Sequence, residues 1–346
     1  MENIKKRNVT VDYIKGIAIL LVVLGHTMSV CTFNSESSQL YNVIWSLQMP
    51  LFFLSSGYLT RFSKPIKDAN DLKKYFKKRT LGYLFPFAVW TFAIRGVILK
   101  QYSFLNIKNL IFHMDIGYWF LFSLWTVCIV YGFSCYVSEK FSSQIAKSLS
   151  NIFTYLIGMS VLAVISLILG LSFLCIKLTL YYMPFFYAGV LFGKNQNNIS
   201  SLKNYSKFVE LFAALSAIMY LLLLVRFNSF YISENLIGIF IRALTSLTGC
   251  CFVCFSVSKL NLKGLPNRLL NFIGQHSLEI YLIHDIFLSI FKLAPIPEFT
   301  SIKGLIVCVI NYIITLVITI TITFLLNANR FLKFLLFGKK SEVFKL

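Results

Sequence analysis

Residues 11–30, VDYIKGIAILLVVLGHTMSV, decide the class of this protein. The run is apolar enough to enter a bilayer, whose hydrocarbon core takes about 20 helical residues. It nevertheless carries Asp12, Lys15 and His26. On a helix turning ~100° per residue, the eleven-residue interval brings His26 back to within ~20° of Lys15, at a rise of ~16 Å. Asp12 falls on the same side. The result is a polar stripe on a helix whose other faces are Ile, Leu and Val. Asp12 and Lys15 read equally well as helix-end charges, with Lys15 snorkelling to the headgroups. His26 does not, because a polar group at membrane depth needs a partner or a cavity.

The rest of the chain agrees. Of 346 residues 57% are hydrophobic and 13% charged, with a mean hydropathy of +0.74. Soluble domains average about 25% charged residues. The expectation is an all-α polytopic membrane protein with a single membrane-embedded domain over 1–346. Hydropathy places ten spans near 11–31, 40–60, 81–99, 117–137, 148–168, 178–193, 207–226, 234–256, 273–293 and 304–327. With that alternation, segments on the N-terminal side hold 24 Lys+Arg and the opposite loops 6. The positive-inside rule then puts both termini in the cytoplasm and accounts for the net charge of +20 without nucleic acid. No cleavable signal peptide is expected, since the basic MENIKKRN leads into a helix with charges and no small-residue cleavage site. The expected location is the cell membrane, multi-pass, as in a bacterial plasma membrane.

The eight cysteines read as buried structural residues, including the Cys251–Cys254 pair in an apolar helix. Cys31 and Cys175 fall near predicted outer loops and could pair. The basic loop RFSKPIKDANDLKKYFKKRT (61–80) reads as a short amphipathic surface helix. It serves either as an anionic-lipid contact or as a phosphate-binding rim.

Polar groups within the other spans narrow the chemistry. Span 2 places Pro50 and Ser55-Ser56-Gly57 in a membrane helix, where a kink can open beside a cavity. Tyr118-Trp119-Phe120, preceded by His113 and Asp115, is either an aromatic belt or a sugar-stacking platform. Gly189 and Gly193 suit close helix packing, and Arg95 lies where snorkelling explains it. Arg242 is too deep for that and calls for a carboxylate or a wet cavity. Span 9, GQHSLEIYLIHDIF, holds His276, Glu279, His284 and Asp285; His276 and Glu279 share a face, with His284 displaced by ~80° from His276. There is no P-loop, no G-x-S-x-G elbow, no H-E-x-x-H zinc site and no H-x-x-x-x-D acyltransferase signature.

Taken together, several segments carry a likeness. They are Asp12-Tyr13-Ile14-Lys15-Gly16 with Gly25-His26, Met49-Pro50-Leu51-Phe52-Phe53 with Ser56-Gly57-Tyr58, Trp119-Phe120-Leu121, and Ser277 with Tyr281-Leu282-Ile283-His284. In that order and spread the chain resembles the acyltransferase-3 family of integral-membrane O-acyltransferases, particularly its fucose O-acetylase-like branch. The resemblance implies transfer of an acyl group, usually acetyl, from cytosolic acyl-CoA to a hydroxyl of a cell-surface or lipid-linked glycan. It implies acetyl-CoA as co-substrate with no tightly bound cofactor and no metal. It also implies a catalytic His26 with an important basic residue at position 15. Many members have Arg where this chain has Lys15, and a second Arg where it has Gly82, which weakens a donor-binding role for Arg79. On this reading neutral His26 is the general base, oriented by Glu279 or, less well, by Asp12. Lys15 and the 61–80 rim would hold the CoA phosphates, and Asp12, Ser56, Arg79, Trp119, Arg242 and His284 are further substrate-binding candidates. Membrane lipids are the other expected partner. A transporter or flippase using span 9 as a proton relay remains the alternative.

Overall fold

A computed structural model describes residues 8–114, 117–170, 173–200, 205–226, 235–288 and 295–339. Asp115 and the first seven residues lie outside them. Helix α1 spans Val9–Cys31. Its first turn is capped by Asn8, whose side chain accepts the Val11 N–H, and it carries Asp12 where the helix dipole favours a negative charge. Helix α2, Gln39–Tyr58, is capped by Ser38 and contains Pro50.

The next segment differs from expectation. The basic stretch does not form a separate surface helix: α3 (Ala69–Arg79) runs through a π-turn at Thr80–Leu84 into α4 (Phe85–Ala88) and a second π-stretch at Val89–Ile98. Together they make one 30-residue helix, Ala69–Ile98. No residue between Asp71 and Arg79 breaks a helix, and the π-turns flank Pro86, which has no N–H to place in an α-ladder.

The chain continues with α5 (Ile107–Phe112), α6 (Trp119–Ser138), α7 (Gln144–Leu169), α8 (Ile176–Ser200), α9 (Tyr205–Arg226) and α10 (Leu236–Lys259). After α11 (Gly264–Gln275) and α12 (Ser277–Ile283) come α13 (Ile302–Ala328) and α14 (Arg330–Phe337). Eight helices among the described residues are long and apolar enough to cross a membrane. The protein is an all-α polytopic membrane protein. Helix α2 has 20 residues, but Asn42, Ser46 and Gln48 keep its hydropathy lower. The ninth expected span is broken: α11 stops at Gln275, His276 leaves the helix at φ −107°, and α12 gives way to a 3-10 turn at His284–Ile286. Its last expected positions, 289–293, lie outside the described residues.

The chain forms two compact units, 1–61 with 185–324, and 62–184 with 325–346. In the first, α1 is the central helix, packed on α2, α10, α11 and α12. Close crossings make this possible. A Cβ on Gly274 would run into the Asp12 carbonyl, and one on Gly16 would sit 2.8 Å from the Leu270 side chain. Likewise α2 and α8 touch backbone to backbone, Gly57 against Phe186 and Gly189 against Leu54. Near the C-terminal end of α1, Met28, Tyr41, Ile44, Phe299 and Cys308 form a core cluster. Phe33 there exchanges backbone hydrogen bonds with Pro297 and Phe299. In the second unit α6 packs on α3 and α7, with Gly132 beneath the Tyr75 ring. Trp90 Nε1–H donates to the Leu336 carbonyl, 2.9 Å, and anchors α14. All eight cysteines are free thiols, which rules out the Cys31–Cys175 pair: Cys31 Sγ lies on the Leu288 carbonyl and Cys175 Sγ on Ser123 Oγ.

Candidate active site

The chemistry-bearing side chains of the first unit gather around α1. His26 is half-buried on its C-terminal half, and its Nδ1 lies 3.0 Å from Nε2 of His284. The two rings stack with centroids 5.2 Å apart and planes at 21°. His284 is 1% exposed, and its own Nδ1 lies 3.0 Å from the Ile280 carbonyl.

With both imidazoles neutral, this chain of contacts orders the protons. A carbonyl only accepts, so the His284 Nδ1–H donates to Ile280. Neutral His284 then has a lone pair at Nε2, which accepts from His26 Nδ1–H. His26 is left with its lone pair on Nε2, the nitrogen a general base uses. The backbone break places His284 there: the 3-10 turn at His284–Ile286 follows α12 directly. Two further bonds hold this turn. Thr315 Oγ1–H of α13 donates to the Phe287 carbonyl at 3.0 Å, and Cys31 Sγ–H to the Leu288 carbonyl.

The partner proposed from sequence, Glu279, is fully buried and has Oε1 3.2 Å from His276 Nδ1. Nδ1 of His26 meets the imidazole of His284. Asp12 is 5% exposed and Lys15 half-buried at the N-terminal end of α1. Ser56 is half-buried on α2, and Arg242 is 5% exposed on α10, one turn from buried Thr245 and Ser246. Arg79 and Trp119 belong to the second unit. The Arg79 guanidinium lies over the Tyr75 ring at 4.9 Å, with Nη2 3.4 Å from Ser63 Oγ. Trp119 stacks on Tyr182 with centroids 5.7 Å apart.

Sequence reasoning passed over three features of the first unit. Gln48, 1% exposed, has both amide atoms buried without a hydrogen-bond partner among the described residues. Its Oε1 lies 3.5 Å from where a Cβ on Gly25 would be. Asn311, Thr315, Thr319 and Thr323 form a fully interior polar row on α13 whose four-residue spacing was legible. A cavity of about 360 Å³ opens at the start of α1, lined by Asp12, Asn267, Arg268, Asn271, Phe272 and Gln275. Among the described residues no three His, Cys, Asp or Glu side chains are grouped as metal ligands would be.

Comparison with known proteins identifies relatives of the chain. The nodulation protein NolL of Sinorhizobium fredii is 25% identical over 204 residues, 54% of this chain and 49% of that protein. An amino-acid racemase of Enterococcus faecalis is 29% identical over 106 residues, 30% of this chain and 13% of that one. The matched regions thus span at most half the length of these relatives. No solved structure matches. The acyltransferase-3 profile, described as an acyltransferase domain, matches residues 8–328 and so takes in every helix from α1 to α13. The chain therefore belongs to the acyltransferase-3 family.

Proposed function

We propose that the protein moves an acetyl or other short acyl group from cytosolic acyl-CoA to a hydroxyl of a cell-surface or lipid-linked glycan, with His26 as general base. The observation that carries this reading is the His26–His284–Ile280 hydrogen-bond chain. Acyl transfer needs the alcohol's proton removed as its oxygen attacks the thioester carbonyl. His26 Nε2 takes that proton. The imidazolium formed is stabilised because its Nδ1–H already points at the His284 lone pair, a bond that strengthens as charge develops. Collapse of the tetrahedral adduct breaks the C–S bond, and the proton on Nε2 passes to the departing thiolate. The products are the O-acyl ester and free CoA, and His26 returns to its neutral tautomer.

Lys15, about 16 Å along α1 from His26, would hold a donor phosphate at the other end of the path. Localisation in the bacterial plasma membrane, with acyl-CoA inside and the glycan outside, belongs to the same proposal. Mass spectrometry of surface glycans from wild-type, deletion and His26→Ala strains tests it. Loss of one acyl increment in both mutants is the expected result. Retention of that increment by correctly inserted His26→Ala protein contradicts the mechanism.

A further inference from the structure

We infer that the cavity between the start of α1 and α11 receives the adenosine-phosphate head of the acyl-CoA donor, an assignment that rests on the acyl-transfer reading above. The cavity exists because α1 and α11 cross at backbone contact, Gly274 on the Asp12 carbonyl and Gly16 beside Leu270. The larger side chains flanking that crossing border an open cleft of about 360 Å³, at the small end of ligand sites and enough for a nucleotide head but not a whole CoA.

Its lining is built for a purine nucleotide. Asn267, Asn271 and Gln275 follow one another at four-residue spacing, so their carboxamides stand in one row. Asn267 Oδ1 accepts from Tyr13 OH at 2.7 Å and from Asn271 Nδ2. That second bond fixes the Asn271 amide. Its Oδ1 is buried away from the cavity, and one N–H of the same amide remains for a ligand. The remaining N–H of that carboxamide suits a ring nitrogen of adenine. Phe272, the next residue, also lines the cavity and supplies a stacking face. The Asp12 carboxylate suits a ribose hydroxyl. Arg268, exposed and without an ion-pair partner among the described residues, suits a phosphate at the rim.

From this cavity the path to the reaction is the polar stripe itself. Asp12 and His26 are ~21 Å apart along α1, a span suited to an extended phosphopantetheine arm. A zwitterionic lipid headgroup would engage Arg268 and Asp12 but leave the carboxamide row and the ring unused.

The test uses full-length protein in nanodiscs, titrated calorimetrically with CoA and with adenosine 3′,5′-bisphosphate. Arg268→Gln changes an exposed side chain, which keeps folding out of question; Asn271→Ala and Phe272→Leu probe the interior. Each should weaken both ligands about tenfold. Each should also erode the preference in kcat/KM for acetyl-CoA over S-acetylpantetheine, which lacks the nucleotide. CoA affinity that survives all three substitutions overturns the cavity assignment alone. Binding of glycerophosphoethanolamine in place of the bisphosphate makes the occupant a lipid headgroup and also overturns it. Wild-type protein that neither binds CoA nor transfers an acyl group refutes instead the acyl-transfer reading beneath it.

Discussion

Replacing His284 by alanine removes the acceptor of the His26 Nδ1–H, now 3.0 Å away, and the ring stacked on it at 5.2 Å. Two costs follow. The tautomer that leaves Nε2 basic is no longer selected, and the imidazolium formed at the transition state loses a charge-assisted hydrogen bond. Such a bond contributes about 1.5–3 kcal/mol. At ~1.36 kcal/mol per tenfold in rate, kcat should fall about 10- to 150-fold, with the KM for acyl-CoA little changed. His284→Gln keeps an acceptor oxygen in the same neighbourhood and should recover part of the loss. A purely structural role for His284 predicts no such rescue. The assay is initial-rate release of CoA by purified protein in nanodiscs, with insertion checked by fluorescence-detected size exclusion. Wild-type kcat in a correctly inserted His284→Ala protein would refute the proton assignment.

Three other substitutions probe the scaffold. Gly274→Val drives side-chain atoms into the Asp12 carbonyl, a backbone group that cannot rotate away, and should cost at least about 1–3 kcal/mol and show as a lowered thermal midpoint. Thr315→Val removes the bond to the Phe287 carbonyl; it should cost about 1 kcal/mol and lower kcat by loosening the turn that carries His284, both measurable on one preparation. Gln48→Leu replaces a buried amide unpartnered among the described residues with an apolar side chain of similar size, and should raise the thermal midpoint; a fall would show that the amide is satisfied in the membrane.

Hydropathy made most of the fold legible, because long apolar runs in a chain with 13% charged residues leave little choice but membrane helices. It failed where continuity depends on backbone geometry. The loop 61–80 and the third span looked separate since one is basic and the other apolar, yet nothing between Asp71 and Arg79 stops a helix. The ninth span looked continuous since hydropathy does not register the non-helical backbone at His276. The same break bears on the imidazole that His26 meets. On an ideal helix His284 is turned ~80° from His276, and charge arguments favour an acid to orient a base. Once the helix breaks and ends in a 3-10 turn, His284 meets His26. His26 itself was readable from its depth and its spacing from Lys15. The cavity at Asp12 was not, because it depends on one helix crossing with two glycine contacts between residues more than 250 apart in sequence.

The most direct measurement is transfer of label from acetyl-CoA carrying a radioactive acetyl group to endogenous glycan in inside-out membrane vesicles. Vesicles bearing the wild-type protein should incorporate label and release an equal amount of CoA. Vesicles with His26→Ala, expressed to the same level, should incorporate none above background. Equal incorporation by the two would contradict the account at its centre.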